Sequence, residues 1–144
     1  MCGDIIDTYG NYIPYILFVT SVIFLSKSNV LPYYIFGFLI NNFINIILKH
    51  YIKDERPYWN HKSKYNMPSG HCQSTFYSIG FIFSYLYKNK MLNINKLIIL
   101  FYIINGYITI RNCIVYNYHT KDQTLYGTIL GSIIGTSTYI LKQL

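Results

Sequence analysis

Apolar residues in this chain come in unbroken runs, and the polar residues collect in the intervals between them. Five runs stand out, at about residues 12–26, 31–52, 69–87, 97–116 and 124–141, the first carrying Pro14 and the last rich in glycine. A helix needs roughly 20 residues to cross a hydrocarbon core. Stretches such as LIILFYIINGYITI lack the polar stripe that a helix on the surface of a soluble domain would show. The pattern predicts an all-α fold: an integral membrane helical bundle of about five transmembrane helices.

Composition agrees. Hydrophobic residues make up 52% of the chain and charged residues 12%, about half the roughly 25% usual in soluble domains. At 144 residues the chain is expected to form a single membrane-embedded domain, residues 1–144. The opening MCGDIIDTYG has two aspartates and no basic n-region, so a cleavable signal peptide is not expected and the first helix is expected to stay as an anchor. Cys2, Cys72 and Cys113 are odd in number and form no CxxC pair, which suggests neither a disulfide framework nor a zinc site. The net charge of +7 comes from lysines at helix ends, with no basic block interleaved with loop aromatics. A nucleic-acid partner is therefore not expected; anionic headgroups or phosphates suit the charge better.

Five spans put the connections on alternating sides. The N-terminus, the loop at 53–68 and the turn at 117–123 share one face, and with them go all four histidines and all five acids. The other face holds Lys27, Lys88, Lys90, Lys96 and Lys142 and no acid. If Lys49, Arg56 and Arg111 are set aside as site residues, the first face keeps four basic residues against five. The positive-inside rule then favours a cytosolic second face and a lumenal or external site.

Three stretches on the first face carry candidate chemistry. In KHYIKDERP, Lys49 ends a membrane run and Arg56-Pro57 follows after six intervening residues. Read alone, both cations are consistent with snorkelling at the interface or with a phosphate site. In MPSGH, a helix begins at residues whose first backbone N–H groups have no intrahelical acceptor. Such a helix start can bind a phosphate, with Ser69 offering a hydroxyl and Gly70 allowing close approach. His71 is placed to hand a proton to a departing oxygen; an ordinary cap with an interfacial histidine is the other reading. In RNCIVYNYHTKDQ, Arg111 ends a span and His119 is followed by Asp122 and Gln123 at the i+3 and i+4 positions. Either could receive the ring N–H of His119 and decide which nitrogen is free to attack.

Together these stretches resemble the type 2 phosphatidic acid phosphatase superfamily, whose pattern is K-x6-RP, then PSGH, then SR-x5-H-x3-D. Lys49 with Arg56-Pro57 and Pro68-Ser69-Gly70-His71 match the first two completely, and the resemblance covers about residues 49–131. Within the superfamily the chain looks most like the dolichyldiphosphatases, whose second motif continues His-Ser-Gln, comparable to His71-Cys72-Gln73. Their third motif reads approximately YHT-x2-Q and then YG, matched by Tyr118-His119-Thr120, Gln123 and Tyr126-Gly127. Two departures stand beside these matches. Seven residues separate Arg111 from His119, not five, and Ile110 precedes the arginine instead of Ser. On a continuous helix two extra residues turn a side chain by about 200°; either a bulge at Asn117-Tyr118 absorbs the shift or Arg111 misses the phosphate.

The resemblance implies a lipid phosphatase working without metal or cofactor through a phosphohistidine. It assigns His119 as nucleophile, His71 as general acid and then base, and Lys49, Arg56, Ser69, Gly70 and Arg111 to the phosphate oxygens. Gln123 or Asp122 would orient His119. It also implies a polyprenyl substrate, dolichyl diphosphate, and a lumen-facing site in the endoplasmic reticulum. A broader lipid phosphatase acting on phosphatidate or another polyprenyl diphosphate, and a catalytically silent membrane scaffold of the same fold, are the other expectations. Oligomeric state is not legible.

Overall fold

The structure, a computed structural model, describes residues 2–55 and 65–143. Those residues form five helices: α1 (Cys2–Leu25), α2 (Leu31–Ile52), α3 (Gly70–Lys88), α4 (Lys96–Val115) and α5 (Lys121–Leu141). Their starts follow local rules. Pro32 sits in the first turn of α2, where its missing N–H costs nothing. Ser69 caps α3, and Thr120 with Gln123 forms a capping box on α5. At the end of α2, Lys53 turns left-handed (φ 52°) and sends the chain away from the helix axis.

The expected spans match α2 to α5 within a few residues, and α1 starts about ten residues earlier than expected. Asp7, Thr8 and Asn11 interrupt the hydropathy there without interrupting the helix. They form a polar first stretch that docks on the α4–α5 turn: Asp7 accepts the Tyr118 hydroxyl at 2.8 and 2.9 Å, and Asn112 Nδ2 donates to the Ile6 carbonyl at 2.7 Å.

Polarity is arranged opposite to that of a soluble protein. Buried positions include Asn41, Asn45, Gln73, Ser74, Thr75, Ser78, Asn105 and Thr109, while Phe36, Phe43, Leu97, Leu100, Ile129 and Ile133 are exposed. Such an outer surface suits lipid, and a polar interior holds helices together by hydrogen bonds that hydrocarbon cannot replace. Gln73 shows the principle: its Nε2 donates to the Asn41 carbonyl at 2.8 Å and its Oε1 accepts from Asn45 Nδ2 at 2.7 Å. Among the described residues, α1 from Ile5, α2 and α4 are long and apolar enough to cross a membrane by length and composition. With 19 and 21 residues, α3 and α5 span roughly 30 Å each. Their composition is more polar because they form the inner pair, and α3 touches every other helix.

That inner pair is held at backbone contact by Gly127, Gly131 and Gly135, one per turn of α5. A Cβ on Gly127 would lie 2.6 Å from the Ser69 carbonyl oxygen, and on Gly131 or Gly135 it would overlap the carbonyls of Gln73 or Tyr77. Small residues at this spacing let membrane helices approach closely. Away from the polar loops the interior is aromatic, with Tyr34 against Phe81 (5.1 Å between centroids) and Tyr77 (5.6 Å).

Candidate active site

The capping residues of α3 and α5 stand side by side because the glycine stripe fixes the two helices together at their starts. One backbone hydrogen bond ties them directly, from the Ser69 N–H to the Gln123 carbonyl at 3.0 Å. The C-terminal end of α2 closes in from the side. Asn45 Nδ2 donates to the Pro68 carbonyl at 3.1 Å, and one turn later Lys49 Nζ lies 3.6 Å from the point where Gly70 would carry a Cβ. A Cβ at position 70 would stand 3.2 Å from Asn45 Oδ1 and in ordinary contact with the ammonium group, so Gly70 leaves that space open. Arg56 and Pro57 lie outside the described residues.

His119 sits in the α4–α5 turn, 6% exposed, with its backbone N–H on the Cys113 carbonyl at 3.1 Å. Its Nδ1 lies 3.3 Å from Gln123 Oε1. Which end of the Gln123 amide faces the ring follows from its other partners. One end meets only acceptors, Asp54 Oδ2 at 2.7 Å and the Glu55 carbonyl at 2.9 Å, so it is the NH₂. The other end meets donors, the Thr120 N–H at 3.1 Å and Asn66 Nδ2 at 3.4 Å, so it is the oxygen. An amide oxygen only accepts, so Nδ1 of His119 carries a proton, and in the neutral ring Nε2 then carries the lone pair. Asp122, the other candidate partner for the ring, is exposed, and Gln123 is fully buried.

The rest of the third motif is arranged by the turn. After α4 ends, Asn117 adopts φ 53°, and the Cys113 carbonyl accepts the His119 N–H across six residues. That turn, between Tyr116 and Tyr118, separates Arg111 on α4 from His119. Arg111 is half-buried at the last turn of α4. Its Nη1 donates to Asn112 Oδ1 at 3.1 Å and its guanidinium lies 6.0 Å from the Tyr116 ring centroid. These contacts hold it at the end of α4 beside the α1 start. Tyr118, in the same turn, is pushed above the ordinary phenol range, first by burial and then by the hydrogen bond and charge of Asp7.

The α3 start divides its residues between two directions. Ser69 is fully buried, and its Oγ accepts the Cys72 N–H at 3.4 Å and lies 3.8 Å from Cys113 Sγ. His71 is exposed and opens onto a cavity of about 270 Å³ between α1, α2 and α3, lined by Pro14, Tyr15, Phe38, Asn42, Gly70 and Ser74 as well. Pro14 and Phe38 make one part of its lining apolar, and Asn42 and Ser74 make another polar.

Asp54 and Asn66 belong to this cluster, and neither residue stood out in the sequence. Asn66 Nδ2 donates to the Tyr118 carbonyl at 2.6 Å, its N–H donates to the Asp54 carbonyl at 2.9 Å, and Glu55 pairs with Tyr65 in an antiparallel bridge. The two ends of the 53–68 loop are thereby drawn together under Gln123. The available signal was that two of the chain's five acids fall between Lys49 and Arg56.

The sequence profile of the PAP2 superfamily matches residues 31–144. Proteins named dolichyldiphosphatase 1 from Mus musculus and Homo sapiens are each 30% identical over 139 residues, covering 88% of this chain. The chain spans 58% of the length of these relatives. Among solved structures, a transmembrane PAP2-type phosphatidylglycerolphosphate phosphatase from Bacillus subtilis matches with a TM-score of 0.73 at 18% identity, over 96% of this chain and 73% of that one. That likeness is one of fold.

Proposed function

The chain belongs to the PAP2 superfamily, and from that premise we propose that it is an integral membrane lipid phosphatase cleaving dolichyl diphosphate to dolichyl monophosphate and phosphate. The observation that carries the reading is the Gln123 amide, whose partners leave the lone pair of His119 on Nε2. A neutral imidazole with that tautomer is a nucleophile for phosphorus.

In the proposed reaction, His119 Nε2 forms a bond to the terminal phosphorus as the bond to the bridging oxygen breaks. The leaving oxygen takes a proton from His71. Water then attacks the phosphohistidine, giving its proton to His71, and the N–P bond breaks with its electron pair returning to Nε2. Lys49, Arg56 and the amides at the start of α3 meet the charge on the non-bridging oxygens, with Gly70 keeping that space open. Ser69, whose hydroxyl caps α3 from within, is assigned to shaping that helix start. No step calls for a metal. Gln123 orients His119, the role left open between it and Asp122.

The cavity beside His71 supports a lipid substrate, since an isoprenoid tail can stay among apolar side chains while its phosphate reaches the polar wall. The name carried by the 30%-identical relatives supports dolichyl diphosphate among such lipids. We place the whole of residues 1–144 in one membrane-embedded phosphatase domain with its motif core at 49–131. The charge distribution and those relatives support an active site facing the lumen of the endoplasmic reticulum.

Phosphate release from dolichyl diphosphate by detergent-purified protein in EDTA, beside a His119→Ala variant, tests the reading. Native protein is expected to release phosphate and to show an acid-labile phosphoprotein on rapid quenching, and the variant neither. Turnover that persists in the variant would remove the nucleophile. A second reading, lipid-phosphate binding without turnover, draws on Arg111, whose hydrogen bond among the described residues goes to Asn112. Binding of dolichyl diphosphate with no release would select it.

A further inference from the structure

We propose that Asp54 is a positioning residue for His119, supplying through the Gln123 amide the negative charge that an aspartate at position 123 would supply directly. The inference rests on His119 as nucleophile. As His119 Nε2 bonds to phosphorus, positive charge develops on the ring, and a neutral glutamine cannot offset it. The carboxylate stands one group further out: Asp54 Oδ2 accepts from Gln123 Nε2 at 2.7 Å, while Gln123 Oε1 faces His119 Nδ1 at 3.3 Å. Nitrogen and oxygen of an amide are conjugated, so an anion drawing on the N–H makes the oxygen a stronger acceptor. Consecutive hydrogen bonds reinforce one another in this way inside a protein.

The surroundings hold this relay in place. Asp54 is fixed by its own carbonyl on the Asn66 N–H at 2.9 Å and by the adjoining Glu55–Tyr65 bridge. Gln123 is fully buried and uses both ends of its amide. A bond that served only to satisfy a buried amide would need an acceptor there but no charge. That difference is testable, because an asparagine at position 54 keeps the acceptor oxygen and removes the charge.

The experiment compares native protein with Asp54→Asn, Gln123→Glu and the double variant, in which the charge moves next to the ring. Asp54→Asn is expected to lower kcat at least tenfold with KM within threefold and an unchanged unfolding temperature. Gln123→Glu alone places two carboxylates in contact and is expected to be impaired. In the double variant the introduced side-chain amide is free to donate to the introduced carboxylate, and activity is expected to recover at least tenfold over Asp54→Asn. A readout independent of turnover is the NMR titration of the His119 ring in 15N-histidine protein. Lys49 of α2, Asp7 at the α1 start, and Lys121 and Asp122 of α5 are left unaltered. Removing a nearby anion disfavours the protonated ring, so the midpoint is expected to fall by about half a pH unit or more in Asp54→Asn. A midpoint that does not move, a kcat within twofold of native, or a loss that the double variant fails to recover would overturn the inference. A shifted midpoint in protein that cleaves no lipid phosphate would uphold the Asp54 coupling and count against the phosphatase reading instead.

Discussion

Replacing Gly127 by alanine tests whether the glycine stripe sets the alignment of the two histidine-bearing helix starts. The added Cβ would lie 2.6 Å from the Ser69 carbonyl oxygen, 3.2 Å from its nitrogen and 3.3 Å from Cys72 Cβ, where ordinary contact begins at 3.4 Å. The nearest obstacle is backbone, so α3 and α5 must part by about 0.8 Å, the difference between 3.4 and 2.6 Å. The separation falls on the Ser69 N–H to Gln123 carbonyl hydrogen bond, two residues before His71 and four after His119. A misplacement near 1 Å costs on the order of 10²-fold in rate, about 2.7 kcal/mol of barrier at 1.36 kcal/mol per decade. Overpacking should also lower stability by roughly 1–3 kcal/mol. Phosphate release from dolichyl diphosphate, read beside thermal unfolding in the same detergent, separates misalignment from loss of folded protein. Gly106→Ala on α4 is the control: its Cβ would meet the tips of Ile79 at 2.9 Å and Phe76 at 3.3 Å, side chains that can swing aside, and activity should stay within about threefold of native. A folded Gly127→Ala protein with native kcat/KM would refute the alignment argument.

Two further outcomes follow from the same geometry. His71→Ala should slow dolichyl diphosphate cleavage on the order of 10²–10⁴-fold, and a substrate whose leaving group is a much weaker base than a phosphate monoester, such as dinitrophenyl phosphate, should lose far less; equal losses on both would count against the general-acid role. Lys49→Ala should raise KM and weaken inhibition by inorganic phosphate or vanadate, with Lys49→Arg intermediate; unchanged values would return Lys49 to interfacial snorkelling.

Helices were legible where hydropathy and helicity coincide, as in α2, whose ends at Leu31 and Ile52 match the apolar run. They diverged at the start of α1, because Asp7 and Asn11 are polar for tertiary reasons, facing the α4–α5 turn, while hydropathy registers only their polarity. His71, Gly70 and Lys49 could be picked out from spacing because each lies at a helix end. Arg111 could not, since its direction depends on how the turn at Tyr116–Tyr118 takes up two residues and on a partner, Asn112, that also reaches α1. Asp54 was hidden for a related reason: its partner, Gln123, is 69 residues away, and only closure of the 53–68 loop brings the two together.

The polar interior also bears on how the protein is made. During synthesis α3 emerges after α2, which offers partners to Gln73, Ser74 and Ser78 through Asn41, Asn45, Asn42 and Tyr34, but before α5, which packs on it along the glycine stripe. Individually stable helices insert first and assemble afterwards in a bilayer, and α3 gains its close partner, with the Gly127–Gly135 stripe, only once α5 has been made. Until then the Ser69 N–H has not met the Gln123 carbonyl that ties the two helix starts together. Docking of α5 is therefore the same event as assembling the candidate active site.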